Sequence, residues 1–140
     1  MALSLQERQD FLAEPYIGAL SVVLGGDRGP LVVPIWYQYE PGQPLWIHTG
    51  ADSRKASAIR AAGRFSLMVQ RVEPTVRYVS VEGPVTRIEP PTPERVREMA
   101  TRYLPAEKVE EFLRVMQNEG ESVVISMWPE RWWSADLGSL

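Results

Sequence analysis

The stretch HTGADSRKASAIRAAG, residues 48–63, places two cations where a helix is expected to begin. Asp52 and Ser53 are both good N-cap residues, so the helix is expected to start at Arg54. Each cation in that first turn opposes the helix dipole by about 0.3–1 kcal/mol. A bound anion would remove the conflict, because free N–H groups, the Ser53 hydroxyl, Arg54 and Lys55 together suit a phosphate. The alternative is that both cations are solvated or pair with carboxylates such as Asp52.

Length and composition indicate one ordinary globular domain that spans residues 1–140. The chain is 44% hydrophobic and 24% charged, and its formal net charge of -3 gives no general field for nucleic acid or an anionic membrane. Without cysteine it has neither disulfides nor thiolate chemistry. The N-terminal segment carries charges where a signal peptide is apolar, and no run approaches the roughly 20 apolar residues of a membrane span. These features predict a soluble, cytoplasmic domain.

The first two thirds of the sequence predict a short helix and a series of antiparallel strands. Ser4 and Glu7 have the spacing of a capping box, which predicts a helix over about residues 5–13. Gly83 and Pro84 fall within one branched run and predict a sharp bend or bulge there. The predicted strands are residues 16–24, 30–40, 45–50, 64–72 and 77–88.

The last third changes to helical periodicity before it returns to strands. Thr92 and Pro93 suit the first positions of an amphipathic helix, which Pro105 ends. A second helix should end near Gly120, and residues 122–137 then supply one or two closing strands. Because residues 31–37 are apolar on both strand faces, the sheet should be covered on both sides. The predicted fold is mainly β with helices: a small antiparallel barrel with a second buried surface, interpreted as a dimer interface.

Three segments together resemble one known superfamily. WIHTGADSRKASAI, residues 46–59, follows the pattern of the flavin-reductase-like split β-barrels, the superfamily of pyridoxamine 5′-phosphate oxidase. RYVSVEGPVTRI, residues 77–88, is similar to that family's strand ending in Val-x-Val-x-Gly, and VVPIWYQY, residues 32–39, resembles a segment of its deazaflavin-dependent branch. The resemblance covers most of residues 3–135. It implies a six- to seven-stranded split β-barrel of the FMN-binding type that forms a homodimer.

The resemblance also implies a cofactor site. Ser53, Arg54 and Lys55 would hold the cofactor phosphate, with Arg60 as a further cation for the phosphate or for tail carboxylates. The ring and ribityl chain would lie against seven more residues, the last of them supplied by the other subunit: Val33, Pro34, Trp36, Ile47, His48, Thr49 and Tyr78.

Two departures from the oxidases favour the deazaflavin branch. The strand at residues 31–37 lacks the Arg and Lys that the oxidases place beside FMN, and Tyr78 stands where they have a glutamine. The implied function is hydride transfer from reduced coenzyme F-420, a deazaflavin, to an unsaturated small-molecule acceptor. The alternatives are an FMN-dependent enzyme of the pyridoxamine phosphate oxidase type and a binding protein for a flavin or tetrapyrrole without catalysis.

The remaining candidates for chemistry are few. His48 is the sole histidine, which excludes His-rich metal sites and leaves two interpretations, a proton donor beside the ring or a packed strand residue. The aromatic residues near positions 36–46 and 128–133 suit either core packing or a wall for a planar ligand. No metal site and no catalytic residue can be assigned from the sequence.

Overall fold

A computed structural model describes residues 2–139, which form four helices and eight strands. The sequence predicted six or seven strands; eight result because residues 30–40 divide at Trp36 and the closing segment supplies two strands. The predicted helix over residues 5–13 and the predicted strand over residues 45–50 are confirmed. The elements in chain order are α1 Leu5–Ala13, β1 Gly18–Val22, β2 Leu31–Ile35, β3 Tyr37–Gln38, β4 Leu45–Gly50, α2 Arg54–Ala62, β5 Arg64–Arg71, β6 Arg77–Glu89, α3 Pro93–Tyr103, α4 Ala106–Gln117, β7 Ser122–Met127 and β8 Arg131–Asp136.

The strands form one curled antiparallel sheet in the order β2-β1-β5-β6-β7-β4-β3, and β8 pairs with β6. Strand β6 joins the two halves because its first part pairs with β8 and its last part with β7. The predicted bend is confirmed: the register shifts between Val85 and Arg87. A Cβ at Gly83 would overlap the carbonyl oxygen of Trp128, so only glycine allows this close approach. The fold is therefore a split β-barrel.

The main core fills the inside of the curl. Leu20, Leu67 and Val81 are aligned across β1, β5 and β6, and each side chain is fully buried. Helix α2 closes one end of the curl with Ala56 and Ile59, which are also fully buried. The start of α2 is thereby fixed against the barrel.

A second, smaller core covers the outside of β4 and β7. Trp46 and Val124 pack there against Met99 of α3, together with Trp36 and Tyr103. The rings of Trp36 and Tyr103 are stacked, with centroids 4.8 Å apart. Because side chains alternate along a strand, His48 shares the outward face of β4 with Trp46 and so points away from the main core.

The outer face of the other half of the sheet has no helix over it among the described residues. Its central row crosses five strands through directly paired positions and carries no charge. Each member of the row is exposed or half-buried. The row consists of Pro34, Ala19, Met68, Ser80 and Trp133, and we call it the uncharged row.

Candidate functional site

The start of α2 has the geometry predicted from the sequence. Ser53 is the N-cap, and its Oγ accepts a hydrogen bond from the backbone N–H of Ala56 at 3.1 Å. The first intrahelical bond runs from Ser57 N to Ser53 O, also at 3.1 Å. The backbone N–H groups of Arg54 and Lys55 therefore have no intrahelical acceptor and remain available to an anion.

The loop before α2 is held from several sides. Ala51 donates its backbone N–H to the Glu121 carbonyl at 2.9 Å and accepts a hydrogen bond from Arg60 Nη1 at 2.9 Å. The hydroxyl oxygens of Thr49 and Ser53 lie 3.3 Å apart. We call residues 51–55 the α2 corner. These contacts hold the α2 corner in one conformation before a ligand binds, which lowers the entropic cost of binding.

The two cations of this corner have no counter-charge within the described chain. Arg54 is exposed and Lys55 is half-buried. Within residues 2–139 neither side chain forms an ion pair or a hydrogen bond, and the pairing with Asp52 that the sequence allowed is not present. The arrangement leaves two interpretations of the cations: both are solvated, or both await an anionic ligand.

Carboxylates lie on the opposite side of Ser53. A cavity of about 370 Å³ opens there between β4, the loop before α2, and the segment that runs from the end of α4 to the start of β7. Asp52, Glu119 and Glu121 contribute to its lining, whereas Arg54 and Lys55 do not. An anion at the start of α2 is therefore attracted from the side of the two cations and repelled from the side of the cavity.

His48 lies at the junction of three cavities. Its Nε2 and the Ser122 Oγ share a hydrogen bond of 2.8 Å, with the donor set by the tautomer of the ring. The ring is half-buried, and this burial lowers the pKa of His48 below its ordinary value. The imidazole is therefore neutral at neutral pH, so it can donate or accept one further hydrogen bond but carries no charge there.

The cavity on the other side of His48 is apolar. It measures about 380 Å³ and lies between β2, β4 and the helices α3 and α4. A third cavity, of about 400 Å³, lies between α3 and α4. Met116 borders all three cavities. Besides His48, the apolar cavity is lined by Ile17, Pro34, Ile35, Trp36, Val96, Met99, Phe112 and Met116.

The fold brings five of the predicted site residues together around these cavities. They come from β2, β4 and the start of α2, and His48 is their common neighbour. The five residues are Pro34, Trp36, His48, Thr49 and Ser53.

The other predicted residues lie in different places. Val33 and Ile47 pack in the main core, so their side chains face away from the cavities around His48. Tyr78 lies on the outer sheet face, where it pairs with Gln70 of β5, and it borders none of the three cavities. Arg60 is exposed on the last turn of α2, and its guanidinium reaches back to Ala51.

Three residues that the sequence did not single out for the site belong to it. Phe112 packs against Trp36 with ring centroids 5.6 Å apart, Met116 borders all three cavities, and Ser122 holds His48. The helical spacing of Phe112 and Met116 indicated a packing face, but no local pattern says which surface that face meets. Ser122 had no signal at all, because it meets His48 only through the pairing of β4 with β7.

Membrane-spanning helices and metal-binding clusters are both absent from the described residues. None of the helices in residues 2–139 is long and apolar enough to cross a membrane. Within residues 2–139 there is also no group of three or more His, Cys, Asp and Glu side chains placed to hold a metal ion.

The family model for pyridoxamine 5′-phosphate oxidase matches residues 4–135, and the chain belongs to that family. A conserved hypothetical protein from Mycobacterium tuberculosis is 27% identical, with a TM-score of 0.71 over 96% of this chain and 85% of the other. An F-420 reductase is 25% identical, with a TM-score of 0.69 over 89% of this chain and 94% of the other. A FAD-binding protein from Mesorhizobium loti shares the fold at 21% identity, with a TM-score of 0.65 over 97% of this chain and 96% of the other. No curated protein matches the sequence significantly.

Proposed function

We propose that this protein is an oxidoreductase that binds coenzyme F-420 and passes a hydride from its reduced form to an unsaturated small molecule. The observation that carries the proposal is the α2 corner, where Arg54 and Lys55 have no ion-pair partner among residues 2–139 and their backbone N–H groups have no intrahelical acceptor. The resemblance to an F-420 reductase at 25% identity supports the choice of cofactor.

The phosphate of the coenzyme would bind at the start of α2. Arg54 and Lys55 would supply charge and N–H donors, and the Ser53 hydroxyl a further polar contact. Arg60 lies about one and a half helical turns further on and would meet carboxylates of the coenzyme tail. Asp52, Glu119 and Glu121 oppose anions on the cavity side, so the phosphate should lie on the outer side of the corner.

The ring and the acceptor would occupy the apolar cavity next to His48. When bound, reduced F-420 supplies a hydride, so the protein has to hold the acceptor against the ring and exclude water. Trp36 is fixed for this purpose by stacking on Tyr103 and by its contact with Phe112. The neutral His48, held by Ser122, would offer one hydrogen bond to the ring or to the acceptor.

The uncharged row supports a homodimer with the site at its interface. A row that crosses five strands without a charge and without a covering helix is typical of a surface buried in an oligomer. Pro34 belongs both to this row and to the lining of the apolar cavity. A second copy that packs on the row would therefore border the cavity, and Tyr78 on the same sheet face could reach the partner's site.

A second candidate is an enzyme that uses FMN or FAD. The family is named for pyridoxamine 5′-phosphate oxidase, and a FAD-binding protein shares the fold. The corner at α2 would suit an FMN phosphate equally well. The strand β2, whose sequence LVVPI carries no cation, favours the deazaflavin.

Titration of the purified protein with oxidised F-420 and, separately, with FMN tests the cofactor. We expect F-420 to bind more tightly, and reduced F-420 to be consumed when a quinone or an enone is added. A preparation that is yellow with bound FMN and does not bind F-420 would contradict the proposal. If F-420 binds but no quinone, enone, nitroaromatic or bilin oxidises its reduced form, the protein is a coenzyme carrier. That result would contradict the proposed hydride transfer.

The oligomeric state is tested by Met68→Glu, which places a charge in the middle of the uncharged row. We expect the wild type to elute as a dimer in size-exclusion chromatography and the variant to elute as a monomer. Thr101→Glu is the matched control, because Thr101 is exposed on α3 and away from the row. A monomeric wild type would remove the dimer from the proposal.

A further inference from the structure

A fourth cavity lies on the other side of α3 from His48. It measures about 580 Å³, which is within the range of roughly 300–1,000 Å³ common for small-molecule sites. Its floor is formed by Trp46 and Ser126, which are only 8% and 5% exposed. Arg95 and Glu98 of α3 form one wall, whereas other residues of the same helix face the apolar cavity. The two cavities are therefore separate.

Arg95 differs from the other arginines of α3 in having no acceptor. Its guanidinium carbon lies 4.9 Å from the centre of the Trp46 ring, and within residues 2–139 its side chain has no hydrogen bond or ion pair. Arg97 pairs with Glu110 at 2.7 Å, and Arg102 donates to backbone carbonyls. A cation held on an indole face with unused donors is a natural partner for a carboxylate.

The other charges of this cavity leave one carboxylate uncommitted. Arg87 forms an ion pair with Glu89 at 3.8 Å, and Glu98 accepts a hydrogen bond from the Gln38 amide at 3.1 Å. The side chain of Glu40, on the rim, has no partner among residues 2–139. Arg95 and Glu40 border one cavity but do not form an ion pair with each other.

We propose that this cavity binds a free α-amino acid, with its carboxylate on Arg95 and its ammonium group on Glu40. Because Glu89 pairs with Arg87 and Glu98 accepts from Gln38, Arg95 and Glu40 are the charges left for a ligand among the described lining residues. A simple anion would meet Arg95 and leave Glu40 without a partner, and a simple cation would do the reverse. A zwitterion satisfies both charges and leaves its side chain beside Trp46 and Pro44. Neither the family nor the hydride transfer requires this site.

The test is a nuclear magnetic resonance titration of isotope-labelled protein with each of the common L-amino acids in turn. The Trp46 indole N–H signal, assigned by its loss in Trp46→Phe, reports on the cavity floor. We expect at least one amino acid to shift it, and the N-acetyl and carboxamide forms of that amino acid to bind at least about tenfold more weakly. The proposal is overturned if no amino acid shifts the signal, or if acetate, phosphate or either blocked form binds as tightly.

Variants then locate the binding. Arg95→Ala and Glu40→Gln should each raise the Kd for the amino acid by about tenfold or more, because each removes one charged contact. Glu40 is exposed in a turn, so Glu40→Gln should fold normally even if the loss of Arg95 disturbs the Trp46 contact. Arg97→Ala, two residues further along α3 and outside the cavity lining, should bind like the wild type. Wild-type affinity in Glu40→Gln would overturn the proposal.

Discussion

Two pairs of cations in this molecule have opposite surroundings. On β5 and β6, Arg71 and Arg77 both meet Asp136 of β8, at 3.8 and 2.9 Å. Both guanidinium groups also lie over the ring of Phe11. The Thr75 hydroxyl donates to the same carboxylate at 2.7 Å. The chain itself supplies the anion here, so this cluster is complete.

At the start of α2, none of the described residues 2–139 supplies an anion to Arg54 or Lys55. The nearby carboxylates face a cavity on the other side of Ser53. Cations of equal charge can therefore have different roles: those of the Asp136 cluster stabilise the fold, and we propose that those of the α2 corner bind a ligand.

The largest expected effect separates the two regions. Arg54→Ala/Lys55→Ala should raise the Kd for F-420 at least about a hundredfold, since two charged contacts of about 1.5–3 kcal/mol each are lost. Its urea midpoint should not fall, because neither side chain has a partner among residues 2–139 and each cation opposes the dipole of α2. Arg71→Ala/Arg77→Ala should lower the urea midpoint and leave the Kd unchanged. Fluorescence titration and urea unfolding measure the two quantities.

The control for this pair of variants is Arg28→Ala/Lys108→Ala. It removes the same two residue types from exposed positions in a turn and on α4. Both the Kd and the urea midpoint should stay unchanged. If Arg28→Ala/Lys108→Ala raised the Kd for F-420 as much as Arg54→Ala/Lys55→Ala, the net charge of the protein and not the α2 corner would explain the affinity.

The second prediction concerns acid stability. Hydrogen bonds from the Thr75 side chain, the Gly138 backbone and the Arg77 side chain lower the pKa of Asp136 from 3.8 to about 2. A depressed carboxyl pKa stabilises the fold above the unfolded value, and this contribution is lost as the pH falls from 3.8 towards 2. Asp136→Asn should therefore have a lower urea midpoint at neutral pH and a flatter profile in that acid window. Asp27→Asn, in an exposed turn, should follow the wild type.

The third prediction concerns His48, where burial lowers the pKa below the ordinary value of 6.5. Below that pH the unfolded chain takes up a proton more readily than the folded one, so stability falls as the medium becomes acidic. His48→Gln should remove this dependence between about pH 5 and 7. Urea midpoints over that range measure it. An identical slope in the variant would mean that the ring is accessible to solvent in the folded protein.

The smallest expected effect comes from the carboxylates beside Ser53. Glu119→Gln/Glu121→Gln removes two exposed charges that oppose a phosphate, so the affinity for F-420 should rise about two- to threefold at low salt. The gain should vanish at high salt, because exposed charges are screened. Titrations at two ionic strengths measure both values. A loss of affinity would show that these glutamates contact the coenzyme directly.

Local chemistry explains which elements could be predicted from the sequence. The cap at Ser53 and the capping box at Ser4 are decided within four residues, and both helices begin where their caps predict. The division of residues 30–40 could not be predicted, because it depends on tertiary contacts. Trp36 stacks on Tyr103, and the Tyr103 hydroxyl accepts a hydrogen bond from Tyr37 N at 3.2 Å.

The candidate site was predictable to a similar extent. The residues of β4 and α2 follow one another in the chain, so one motif indicated them together. Met116 and Ser122 enter the site from α4 and β7, more than sixty residues later, and only the folded sheet brings them to His48. The uncharged row also needs the register of five strands before its members are seen to adjoin.

The position of the coenzyme phosphate can be measured in a crystal structure of the protein with saturating F-420. We expect the phosphate to lie within hydrogen-bonding distance of the Arg54 and Lys55 backbone N–H groups, with both side chains turned towards it. If the coenzyme is bound but its phosphate lies elsewhere and these two cations still face only solvent, the α2 corner is not the phosphate site.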